Sequence, residues 1–164
     1  MRVIVLADTH LTPRSPRGLP AACTALLAEA DAVIHAGDIV TGHLLDELAR
    51  YGPVHAVLGN NDRELVGRLP EVLELDLGGV RVAVVHDSGP TKGRPARLRR
   101  RFPDAEVVVF GHSHIPVLAE GEGGQLLCNP GSPTQRRRQP HHTVAALDLE
   151  DGAVRSAELV AVGP

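Results

Sequence analysis

The chain has 164 residues, 43% of them hydrophobic, and a formal charge of −3 at neutral pH. Such a length fits one domain, expected to span residues 1–164, and the composition excludes a disordered or fibrous chain. The mild negative charge argues against broad electrostatic binding to nucleic acid or to an anionic lipid surface.

The opening apolar run, Val3 to Ala7, stops at Asp8. It is too short for a signal-peptide core and far too short to span a membrane. Arg2 to Ala7 reads as a buried, β-branched strand that ends at Asp8-Thr9-His10. A Pro/Arg-rich loop (Thr12 to Gly18) leads into an alanine-rich helix over Leu19 to Ala30, and Ala32 to Ala36 is a second strand ending at Gly37-Asp38. Thr41 is placed to cap a helix running to about Arg50, with Leu44, Leu45 and Leu48 at helical spacing. Gly52-Pro53 stops it, and Val54 to Leu58 is a third strand, followed by Gly59-Asn60-Asn61-Asp62. Strand, helix, strand, helix, strand is the signature of a parallel sheet with right-handed crossovers.

From Val72 the pattern changes. Val72–Leu77 and Val80–Val85 flank Gly78-Gly79 as a hairpin, and the second of these strands ends at His86-Asp87. Gly93 to Phe102 reads as a short basic helix. Val107 to Phe110 is an apolar run buried on both faces, and Gly111-His112-Ser113-His114 follows it. Ile115–Glu120 and Gln125–Cys128 flank a Gly-rich turn, and Thr143–Leu149 and Ala153–Val160 flank Glu150-Asp151-Gly152. The second half is therefore expected to be mainly antiparallel.

The strand ends collect Asp8, His10, Asp38, Asn60, His86, His112 and His114. In an extended chain, residues two apart share a side, so Asp8/His10 and His112/His114 can each aim two side chains at one place. Two carboxylates, four imidazoles and one amide form a mixed N/O set that suits Mn, Fe or Zn better than Mg or Ca. Seven ligands are too many for one ion and enough for two if a carboxylate bridges. A two-metal site would keep net positive charge and favour hydrolysis of a phosphate ester.

Asp8-x-His10, Gly37-Asp38, Gly59-Asn60-Asn61-Asp62, His86 and Gly111-His112-Ser113-His114, in that order, resemble the calcineurin-like metallophosphoesterases. The short length and Asn129-Pro130-Gly131-Ser132 resemble its small YfcE-like phosphodiesterase branch. The resemblance implies an α/β fold, a four-layer α-β-β-α sandwich of two mixed sheets with flanking helices. It places Asp8, His10 and His114 on one metal, Asn60, His86 and His112 on the other, and Asp38 between them. Manganese is the metal it implies first, with Fe, Ni or Zn as alternatives. The attacking group would be a metal-bridging hydroxide, so no protein nucleophile is required.

Two departures stand out. The residue after the ligand Asn is commonly His, or Cys in the small branch, and here it is Asn61, an amide that donates a hydrogen bond but cannot serve as general acid. A bias toward diesters and good leaving groups is the expectation. Where His-Gly is common the chain has His86-Asp87, and Asp87 either orients a ligand imidazole or faces water.

The remaining candidates weigh less. His35 reads as a core histidine, His43 and His55 as ordinary helix and strand positions, and His141-His142 as loop residues. Asn129 to Ser132 reads first as a structural turn. The arginine runs (Arg97, Arg99–Arg101 and Arg136–Arg138) lack stacking aromatics and read as solvated faces, so a polymeric nucleic acid is not the expected partner. Any single arginine reaching substrate, such as Arg14, Arg63 or Arg94, has no signal of its own. The expected partner is a small phosphate ester, in the cytoplasm, with a homodimer or higher homo-oligomer as an analogy only. The alternatives are a phosphomonoesterase or protein phosphatase of the same fold, and a non-catalytic scaffold like the retromer subunit that shares it. Completeness of the ligand set favours an enzyme.

Overall fold

A computed structural model describes residues 1–164. Ten strands and three α-helices form two five-stranded mixed sheets. The first holds β1 (Arg2–Leu6), β2 (Ala32–His35), β3 (Val54–Ala56), β9 (His142–Glu150) and β10 (Ala153–Gly163), in the order β10-β9-β1-β2-β3. The second holds β4 (Val72–Leu77), β5 (Val80–Val85), β6 (Val107–Val109), β7 (Val117–Glu120) and β8 (Leu126–Asn129), in the order β4-β5-β6-β8-β7.

Alternation within the strands explains the layers. Val3 and Val5 of β1 join Val82, Val84, Val107 and Val109 in the core between the sheets. Ile4 and Leu6 face the other way, against Cys23 and Leu27 of α1 (Ala21–Leu27) and Leu44 and Leu48 of α2 (Gly42–Leu48). On the far side of the second sheet, Val108 and Phe110 meet Leu98 of α3 (Arg94–Arg101) and Phe102. A strand buried on both faces must be apolar throughout, which is why Val3–Ala7 and Val107–Phe110 carry no polar residue. The four layers expected from the resemblance are present.

The second half is mainly antiparallel, as expected, through β4–β5, β7–β8 and β9–β10, but β6 runs parallel to both β5 and β8. Two local expectations need correction. Helix α1 is a short Ala21–Leu27 segment, with Pro20 at its N-cap rather than inside it. Thr41 stands at the N-cap of α2 without capping it; its hydroxyl donates to the Leu11 carbonyl at 3.3 Å, tying α2 to the loop after β1.

Candidate metal centre

The C-terminal ends of β1, β2, β5 and β6 open on one side of the molecule, and six of the seven predicted ligands gather there. Asp8, His10 and His114 offer ligand atoms within 4.8 Å of one another, and so do Asp8, Asp38 and His86. His10 Nε2 and His86 Nε2 lie 3.4 Å and 3.5 Å from Asp38 Oδ2, so this carboxylate stands between two imidazoles. The His10 and His114 rings stack at 5.3 Å, and the His112 ring stands edge-on to His86 at 5.2 Å. His112 and His114 thus serve opposite flanks rather than one spot. Asn60 is exposed on the loop between Gly59 and Asn61, with no hydrogen bond to the cluster.

The local backbone differs from the extended one expected. Asp8, His10, Asp38, His112 and His114 all have positive φ, between 46° and 69°, and Val40 has φ 81°. The left-handed region is disfavoured for residues with a Cβ, most of all for a β-branched one. Such conformations persist only where the surroundings over-determine them, and they concentrate at functional sites. Here the surroundings are visible. Asp62, buried, accepts from the backbone N–H groups of Asp38, Val40 and Gly59 at 2.9, 2.6 and 2.7 Å. Ser132 Oγ donates to the Asp8 carbonyl at 2.8 Å, and Asn129 Nδ2 to the Gly111 carbonyl at 2.9 Å. The turn at 129–132 is therefore structural, as expected, and what it supports is the two ligand loops. Glycine is required at 59 and 111 by close approach: a Cβ on Gly59 would strike Asp38, and one on Gly111 would lie 2.9 Å from Ala7 Cβ.

Carbonyls fix the imidazole tautomers. His86 Nδ1 donates to the Ala36 carbonyl at 2.7 Å, and His114 Nδ1 to the Gln135 carbonyl at 2.5 Å, leaving each Nε2 as a bare lone pair. A metal-binding histidine typically has such an oriented second nitrogen. Asp87 has no part in this: it is exposed and accepts from Gly89 N at 2.7 Å. His35 is buried against Thr9 Oγ1 at 3.0 Å, and burial lowers its pKa to about 3, so it is a neutral core residue.

Electrostatics separate the two carboxylates. Burial pushes Asp8 up to about 7. Burial acts on Asp38 in the same direction, but His86 beside it and the Asn61 backbone and side-chain N–H groups, at 2.9 and 2.8 Å, hold it below the ordinary carboxylate range. Burial lowers His114 to about 4. Asp8 Oδ2, His10 Nε2, His86 Nε2 and His114 Nε2 are all buried with no hydrogen-bond partner. Leaving a buried polar atom unsatisfied costs about 1–3 kcal/mol. Four such atoms converging on one place, all electron-pair donors and none a thiolate, fit a divalent cation of the Mn, Fe, Ni or Zn type.

Two residues escaped the sequence reading. Asp62 was visible only as the end of a motif, and its three backbone partners are set by tertiary structure. Arg137 belongs to a run expected to be a solvated face, yet its charge lies near enough to act on Asp8, His10 and His114. Arg94, by contrast, packs its guanidinium 5.0 Å over the Phe110 ring.

Comparison with known proteins converges on the same reading. The model of the calcineurin-like phosphoesterase superfamily domain matches residues 1–152. A probable metallophosphoesterase of Methanothermobacter thermautotrophicus is 31% identical, covering 99% of this chain and 94% of its own length. One from Methanocaldococcus jannaschii is 33% identical, covering 92% and 77%. Among solved structures, Vacuolar Protein Sorting 29 from Cryptosporidium parvum aligns with TM-score 0.76 at 21% identity, over 98% of this chain and 97% of its own. The zinc complex of Vps29 from Entamoeba histolytica gives 0.74 at 23%, over 99% and 100%. An archaeal phosphodiesterase gives 0.69 at 20%, over 98% and 100%. At these identities the structural likeness is one of fold. With the family model spanning nearly all of the sequence, the chain belongs to the calcineurin-like phosphoesterase superfamily.

Proposed function

We propose that the chain is a metal-dependent phosphodiesterase whose two-metal centre is formed by Asp8, His10, Asp38, Asn60, His86, His112 and His114. The observation that carries this reading is the set of four buried, unpartnered donor atoms around Asp8 and Asp38. Two bound divalent cations would supply charge stabilisation and an activated water, the means by which two-metal enzymes break phosphate esters. Manganese is the first candidate and zinc the second, the latter being the ion named for the Entamoeba neighbour.

The chain's own residues set the scene for that chemistry. Asp38 is ionised and held by Asn61. The Ala36 and Gln135 carbonyls keep His86 and His114 in the ligating tautomer. Asn61 can donate a hydrogen bond to a departing oxygen but no proton, so good leaving groups and diesters are favoured. The archaeal phosphodiesterase neighbour accords with this preference at the level of fold. A partner-binding scaffold is the second reading, because the Vps29 structures share the architecture. Turnover separates the two readings, because the Entamoeba Vps29 structure also carries zinc.

The test begins by stripping metals with a chelator and restoring Mn²⁺, Zn²⁺, Ni²⁺ or Fe²⁺ singly. Turnover of bis(4-nitrophenyl) phosphate is expected only with metal, and faster than that of 4-nitrophenyl phosphate. No turnover with any ion would sink the reading. In the same assay, Asn61→His should speed poor leaving groups toward the 10²–10⁴-fold that general acid catalysis typically supplies, roughly, with little change on nitrophenyl esters.

A further inference from the structure

Beside the ligand cluster lies a trench of about 600 Å³ that the reading above leaves without a task. Its inner end is formed by Thr9 and His10, so it opens directly onto the candidate metal centre. We propose that it holds the uncharged, nucleoside-sized arm that stays on phosphorus when a phosphodiester is cleaved; this rests on the phosphodiesterase reading and adds its substrate class.

Four observations lead there. Volume comes first: the trench falls in the usual range for small-molecule sites, roughly 300–1,000 Å³, and a methyl or ethyl arm would leave it nearly empty. Charge comes second. Arg17 is the one charged side chain in the lining, so a polyphosphate arm would find too few cations. Third, the walls mix apolar surface (Leu19, Pro133) with groups that hydrogen-bond (Thr134, Gln135), as a sugar carrying a base requires. His142, also in the lining, has an Nδ1 with no hydrogen-bond partner. Fourth is placement. The trench borders β9 and β10 at one side of the first sheet, whereas Asn61 follows β3 at the other. A departing oxygen on the Asn61 flank leaves the retained arm on the trench flank.

Two 4-nitrophenyl diesters share one leaving group and differ only in the retained arm: those of thymidine 5′-phosphate and of methyl phosphate. The thymidine ester is expected to be favoured about tenfold or more in kcat/KM. A Cβ on Gly18, in the lining, would meet nothing within 4 Å, so Gly18→Phe fills the trench without a clash at its base. That variant should lose the preference, its thymidine-ester kcat/KM falling about tenfold, to the level of its own methyl ester. Equal kcat/KM for the two esters, or a preference surviving Gly18→Phe, overturns the proposal. A second measurement is independent of metal and of turnover. Thymidine added to metal-free protein should shift the backbone amide resonances of Gly18, Thr134, Gln135 and Gly163, and not in Gly18→Phe. No shifts there at millimolar thymidine would also overturn it. Shifts with neither ester hydrolysed would sustain the trench and overturn the phosphodiesterase reading instead.

Discussion

Asp62 shows how much of the centre depends on residues that offer no ligand atom of their own. Its carboxylate gathers three backbone N–H groups from the two loops that carry Asp38 and Asn61, and it lies 1% exposed. Asp62→Asn puts an amide donor among those donors, so at least one bond is lost and the left-handed turn at Asp38 and Val40 loses its clamp. Metal affinity is expected to fall about 10–100-fold, the usual effect of removing a group that orients a ligand. Calorimetric titration with Mn²⁺ or Zn²⁺ measures it, alongside a circular dichroism spectrum that should be unchanged; equal affinity would refute the role. At this scale the sequence was informative about residue identity and poor about geometry. The one-apart spacing of Asp8 and His10 marked them as candidates, but the side chains converge through alternating left-handed residues rather than along an extended strand. Arg137 could not be told from its neighbours, because only the fold brings its charge near the histidines.

Among the elements, the strands were the readable part. Runs such as Val107–Phe110 are apolar because both faces are covered, and the pattern survives in the sequence without reference to neighbours. The order of strands does not: nothing in β6 says that it lies between β5 and β8, parallel to both. Helix α3 is the least self-sufficient element. Of its eight residues, RPARLRRR, only Leu98 is buried, where it meets the outer face of the second sheet with Phe102. Leu98→Ala should therefore destabilise the protein by about 2–5 kcal/mol, with loss of α3 contacts first. Urea unfolding gives the magnitude, and amide exchange along Arg94–Arg101 shows whether this helix loosens ahead of the sheets. A loss below about 1 kcal/mol would mean the helix is anchored elsewhere, for instance by the Arg97 bonds to the Ser88 carbonyl.

At the scale of the whole molecule, the two cysteines report on two different cores. Cys128 is buried between the sheets and Cys23 on the inner face of α1, and burial pushes both thiols up to about 12. A thiol in the unfolded chain titrates near about 8.5. Between those values the unfolded state sheds protons that the folded state keeps, so this contribution is complete below the lower value and lost as pH rises toward the upper. The urea midpoint should fall from about pH 8 to about pH 10 more steeply in the wild type than in Cys23→Ala/Cys128→Ala. Parallel slopes would refute it. Ellman's reagent should find both thiols silent until the chain unfolds.

The first strand pairs with β2 on one side and with β9 on the other, Arg2 lying opposite Asp148. During synthesis the first partner arrives within some thirty residues, roughly one crossover unit. The second, β9, begins only at His142. Until β9 is made, a strand that is apolar from Val3 to Leu6 has one open hydrogen-bonding edge, the feature that invites pairing with stray strands. The exposure ends when β9 docks and closes the seam.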